Sequence, residues 1–171
     1  MLSKIIRLII AGILLLGSIF LFIKSFIGLG ILAVLVSGLF VLLHFKNEKN
    51  LIAFYFLRKN KFQSAGKVLS GVKHPERMIK SQEAYYYYLS GLIFSQEHKN
   101  NQAEKQFKKA LNIGLRMKTD KAVANLNLSG IYLSRRNKKL SKYYLQEAKS
   151  LDKQKMLSAQ VKEIEHMMKR I

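Results

Sequence analysis

Five positions recur three times along the second part of the chain at a constant offset of 38 residues. They are Ala53, Gly91 and Ser129; Phe56, Phe94 and Tyr132; Ala65, Ala103 and Ser141; Leu69, Phe107 and Leu145; and Val72, Ala110 and Ala148. Within each copy the first two lie three apart and the last three lie four and three apart, which places each group on one face of a helix. Polar stretches containing Asn60, Asn100 and Asn137 separate the two groups, and Asn tolerates the left-handed backbone of a tight turn. Each copy therefore reads as a helix, a turn and a second helix. Such a unit cannot bury its apolar face alone, so the copies must stack.

The middle copy carries the pattern most fully, with Tyr87, Gly91, Phe94, Ala103, Phe107 and Ala110 in order. These positions resemble the tetratricopeptide repeat, in which small residues let paired helices approach and aromatics fill the space between neighbouring repeats. The resemblance implies an all-α fold, a right-handed α-solenoid of three helix pairs spanning 46–155, with repeats at about 46–79, 84–117 and 122–155. Lys49 and Asn125 stand where the family has an aromatic. The period exceeds the family norm of about 34, and the surplus is expected in longer connections at Lys80 to Glu83 and Lys118 to Lys121. Beyond the third copy, Leu157, Val161, Ile164, Met168 and Ile171 form an amphipathic stripe. It predicts a capping helix over 156–171 that covers the last open apolar face of the stack.

Ahead of the repeats, Ile5 to Phe45 is interrupted by only two ionic side chains, Arg7 and Lys24. As one helix it would reach roughly 60 Å, about twice a bilayer core. The expectation is a transmembrane hairpin over 1–45, with spans at about 5–23 and 26–45 turned near Lys24 and Ser25. Gly28 and Gly30 would loosen the start of the second span, and the Ala33 and Ser37 pair would let the helices approach. A cleaved signal peptide is disfavoured, because Gly17 to Phe22 offers no small-residue cleavage site. Lys4 and Arg7 precede the hairpin, and Lys46, Lys49, Arg58, Lys59 and Lys61 follow it. That asymmetry places both termini in the cytoplasm, on a two-pass protein of the inner (cytoplasmic) membrane surrounded by membrane lipids.

Chemistry finds little support. The absence of Cys excludes a disulfide framework, a thiolate metal site and a Cys nucleophile. His44, His74, His98 and His166 stand apart from one another and from carboxylates at ligand spacing. Glu163 and Glu165 lie about 200° apart on a helix and cannot share a site. Gly66 and Lys67 lack the upstream Gly and the following hydroxyl of a phosphate loop. The expectation is no enzyme, no metal and no cofactor.

Two binding readings remain. The resemblance implies that first-helix residues line an inner groove, among them Phe54, Leu57 and Arg58, then Tyr85, Tyr88, Leu92 and Gln96, then Leu126. That stripe is aromatic and apolar, and it suits an apolar segment of an unidentified protein partner; the chain would act as a non-catalytic, membrane-anchored adaptor. The alternative starts from charge. From Lys46 onward 27 basic residues face 10 acidic ones, far above what solubility requires. The excess gathers at Lys105, Lys108 and Lys109, and at Arg135, Arg136, Lys138, Lys139 and Lys142. This basic patch suggests a membrane-bound receptor for ribosome, RNA or anionic lipid, although no nucleic-acid motif accompanies it.

Overall fold

The computed structural model describes residues 4–45 and 48–170. Lys46, Ile171 and the chain ends, which entered the charge, cap and topology readings, lie outside the described residues. Among the described residues the chain forms nine α-helices and no strand, and it divides into two compact units, Met1–Leu51 and Ile52–Ile171.

The first unit holds α1 (Lys4–Ile23) and α2 (Ile27–Phe45). The turn falls at Lys24 and Ser25, with Ser25 at φ 63 and the Phe26 N–H donating to the Leu21 carbonyl at 3.0 Å. The helices meet along a narrow seam of small residues: Ala11, Ser18, Gly30 and Ser37 are buried. The Ser37 hydroxyl donates across the seam to the Ala11 carbonyl at 2.8 Å, while Ser18 donates to the Leu15 carbonyl of its own helix. Gly30 does not loosen its helix. It makes room for the Phe22 ring, whose carbons would stand 2.9 Å from a Cβ placed there, whereas Gly28 has nothing within 4 Å. Leu16, Ile23 and Leu35 stand exposed on the outer faces.

Among the described residues no helix is long and apolar enough to cross a membrane. This overturns the transmembrane hairpin, and with it the two-pass inner-membrane location with both termini cytoplasmic. The physical reason is length. Lys4 and Arg7 fall inside α1, so its uninterrupted apolar stretch runs from Leu8 to Ile23, about 24 Å at 1.5 Å per residue. In α2 the stretch from Ile27 to Leu43, before His44, gives about 26 Å. Both fall short of a hydrocarbon core of roughly 30 Å.

The helices that follow are α3 (Glu48–Arg58), α4 (Phe62–Ser70), a 3₁₀ turn (Pro75–Arg77), α5 (Lys80–Gln96), α6 (Asn100–Ile113), α7 (Lys118–Ser134), α8 (Lys138–Leu151) and α9 (Ser158–Lys169). The second unit, which takes up α3 from Ile52, is built of helices over the stretch where the 38-residue period runs, and α5 pairs with α6 and α7 with α8. The period extends to the backbone. Asn60, His98 and Arg136, each 38 residues from the next, adopt φ of 56, 58 and 58. One residue later, Lys61, Lys99 and Asn137 each donate an N–H to the carbonyl of Phe56, Phe94 and Tyr132 at 2.9 Å. This is the six-to-one bond of a Schellman-type helix end. Asn60 alone among the three expected Asn residues takes the left-handed position. Asn100 opens α6, and Asn137 caps α8, its side chain accepting from the Leu140 N–H at 3.1 Å. His98 and Arg136 bear the strained φ that Asn would have eased.

The small-residue rows form the core. Ala53, Ala65, Gly91, Ala103, Ser129 and Ser141 are all buried, as are Leu69, Phe107 and Leu145. The residues expected to form longer connections are helical, and the longer link between α4 and α5 lies ahead of them at 71–79. Lys80 to Glu83 and Lys118 to Lys121 form the first turns of α5 and α7, where Glu83 and Asp120 put negative charge at the helix N-terminus. In α9, Val161, Ile164 and Met168 pack against Leu126, Leu133, Leu145 and Ala148, covering the far side of α7 and α8.

Candidate partner-binding face and basic surface

On the first helices of successive pairs, the aromatics named above come into register. The Phe54 ring of α3 lies 6.1 Å from that of Tyr85 on α5, Tyr85 lies 5.8 Å from Tyr88, and Tyr88 lies 6.4 Å from Phe107 on α6. The ladder descends from surface to core. Phe54 is 38% exposed, Tyr85 is half-buried and Tyr88 is buried. The Arg58 guanidinium sits 5.9 Å from the Phe54 ring centre, within cation–π range. Leu92 is half-buried and Gln96 exposed farther along α5. At that level the Ser95 hydroxyl donates to the Asn127 side-chain oxygen at 3.1 Å, tying α5 to α7.

Two residues assigned to the groove sit elsewhere. Leu57 is buried within the core cluster around Ala53 and Tyr88, and Leu126 is buried among the residues that α9 covers. Both hold helices together. The accessible part of the face comprises Phe54, Arg58, Tyr85, Leu92 and Gln96.

Asp120, which sequence pattern did not single out, belongs to this face. Burial raises its carboxyl above the usual range. Burial and then the Asp120 charge push the Tyr85 hydroxyl up to about 12, and the same causes raise Tyr88. Asp120 has no ion-pair or hydrogen-bond partner among the described residues. In the sequence it is one carboxylate among many lysines, and only the folding of α7 against α5 brings it to the tyrosines.

The basic patch separates into two classes. Glu104 on α6 accepts from Lys108 at 2.7 Å, from the Tyr132 hydroxyl at 2.5 Å and from Arg135 at 2.5 Å. Arg135 also donates to the Asn101 side-chain oxygen at 2.6 Å, and the Tyr132 ring stacks on Tyr144 with centres 5.4 Å apart. Burial acts upward on Glu104, but hydrogen bonds from Lys108, Tyr132 and Arg135 outweigh it and hold the carboxyl at about 2. The bond that Lys108 donates to Glu104 in turn raises the Lys108 ammonium. Lys109 donates to the Tyr87 hydroxyl at 2.7 Å and lies 4.0 Å from the centre of that ring. Arg135 thus ties the end of α7 to α6, Lys109 ties α6 to α5, and Lys108 pairs within α6. Lys105, Arg136, Lys138, Lys139 and Lys142 are exposed and have no side-chain partner among the described residues.

Among the described residues no group of three His, Asp or Glu side chains is placed to hold a metal ion. No protein-family model, curated protein or solved structure matches the chain.

Proposed function

We propose that the helix pairs α3–α4, α5–α6 and α7–α8, capped by α9, form a tetratricopeptide-like, right-handed stack that acts as a non-catalytic adaptor. Its first-helix face binds an apolar segment of a protein partner. The observation that carries the reading is the aromatic ladder from Phe54 through Tyr85 to Tyr88. It joins two helix pairs while leaving a large apolar ring exposed at its open end, and rigid aromatic area at low entropic cost is what binding sites concentrate. The recurrence of the same turn every 38 residues supports the repeat reading.

The ribosome or RNA reading has weaker support, because three of its eight cations are engaged in internal contacts. A peptide-display library panned against the full chain tests the proposal. Selected peptides should share a bulky apolar or aromatic residue and should lose binding when Phe54→Ala and Tyr85→Ala are combined. Selected peptides that bind this variant as tightly as the original chain would refute it.

A further inference from the structure

A second surface lies between α8 and α9 and owes nothing to the aromatic face. The antiparallel helices leave two adjoining clefts, of about 510 and 450 Å³. Both are lined by Lys149 and Glu165, whose ion pair bridges the helices where the clefts meet. Lys138, Lys142, Leu145 and Lys149 fall within one narrow stripe of α8, since steps of four, three and four residues return to the same face. Lys162, Glu165 and Lys169 do the same on α9. The rims are completed by Lys153 and Lys155 from the connecting loop, and the floor by Leu145, Val161 and Met168.

Apart from Lys149, the lysines here have no acidic partner among the described residues, and Asp152 is occupied in accepting the Met156 and Leu157 N–H groups at 3.0 and 2.8 Å. From Arg135 onward 11 basic residues face four acidic ones. An apolar floor between two cationic rims is the complement of an amphipathic helix whose apolar stripe is flanked by carboxylates. Along α8 from Lys138 to Lys149 the two clefts together run about 17 Å, room for roughly three helical turns. A second copy of this chain cannot fill it, because none of its helices carries an apolar stripe with acidic flanks. Single-stranded nucleic acid fits less well, because neither cleft is lined by an aromatic side chain on which bases would stack.

We infer that the α8–α9 cleft is a docking site for an acidic amphipathic helix of a protein partner, with the Lys149–Glu165 pair as an internal competitor for its carboxylates. The test uses the full chain and a fluorescein-labelled helical peptide bearing a leucine stripe flanked by glutamates, read by fluorescence anisotropy. The peptide should bind, and a version with lysines replacing the glutamates should not. Lys142→Glu combined with Lys162→Glu should weaken binding about tenfold. Glu165→Gln should tighten it about threefold, by releasing Lys149 and removing a like charge; loss of fold cannot mimic such a gain. Tyr85→Ala should leave affinity unchanged. Absence of binding, indifference to the lysine reversals, no tightening by Glu165→Gln, a loss of affinity in Tyr85→Ala, or stronger competition by oligouridylate than by unlabelled peptide would each overturn the assignment.

Discussion

Gly91 and Phe107 hold α5 and α6 in close approach: a Cβ on Gly91 would stand 2.7 Å from two ring carbons of Phe107. The ring is fully buried and cannot swing aside. At the same positions of the neighbouring copies the pairs are Ala53 with Leu69 and Ser129 with Leu145. Volume added on one helix is thus matched by volume removed from the other. Gly91→Leu should overpack this contact and cost about 1–3 kcal/mol. Gly91→Ala combined with Phe107→Leu, which rebuilds the pair of the first copy, should lie much closer to the parent chain in urea unfolding followed by circular dichroism. Equal stability of Gly91→Leu and the parent would refute the contact.

The third copy replaces the alanines of the first with serines that bond each other. The Ser129 hydroxyl donates to the Ser141 carbonyl at 2.9 Å and lies 3.1 Å from the Ser141 hydroxyl, with both residues fully buried. Ser129→Ala leaves the Ser141 hydroxyl without this partner and should cost about 1–3 kcal/mol. Changing both to Ala, as in Ala53 and Ala65, should recover most of that loss, because two matched apolar groups leave nothing unsatisfied. Thermal unfolding of the three variants measures the difference.

The helical make-up of the second unit was legible because small and bulky residues recur at helical spacing with a period that the turns obey, down to the left-handed residue of each turn. What the pattern misjudged follows from the third dimension. A left-handed residue is selected by helix-end geometry, so His98 and Arg136 occupy positions where composition favours Asn. The surplus residues form the first turns of α5, where Lys80 and Glu83 pair at 3.0 Å, and of α7. In the candidate site, Phe54, Tyr85 and Tyr88 could be read from helical register. Asp120 could not, since its relation to the tyrosines exists only once α7 lies against α5. In the first unit the apolar run announced a helical hairpin turned at Lys24 and Ser25, but Arg7, visible in the sequence, falls inside α1 and leaves an apolar stretch too short to cross a membrane.

Glu104 makes stability depend on acid. Its folded carboxyl titrates at about 2, below its ordinary value of 4.5, so its contribution is fully present above the ordinary value. That contribution should be lost as pH falls from about 4.5 toward 2. Glu104→Gln should lower the melting temperature at neutral pH and reduce the loss between neutrality and low pH relative to the parent. Parallel melting-temperature curves for the two proteins across that window would show that the bonds from Lys108, Tyr132 and Arg135 contribute nothing to folding.

Salt separates the aromatic face from the basic surface as the seat of partner recognition. Binding to phosphates should weaken by about 0.7 to 0.9 logarithmic units per neutralised phosphate for each logarithmic unit of salt. It should also lose slope when Arg136, Lys138, Lys139 and Lys142 become Gln. Binding at the aromatic face buries apolar area, and a fully buried side chain of this size contributes roughly 1.5 to 3 kcal/mol. For a peptide selected on the full chain, affinity should therefore hold as salt rises, survive the Gln changes, and fall when Phe54 and Tyr85 become Ala. Arg58→Gln should have a smaller effect, because an exposed cation over an aromatic ring contributes about 0.5–1 kcal/mol. A partner that salt strips off and that the Gln variant fails to bind would place recognition on the lysines instead.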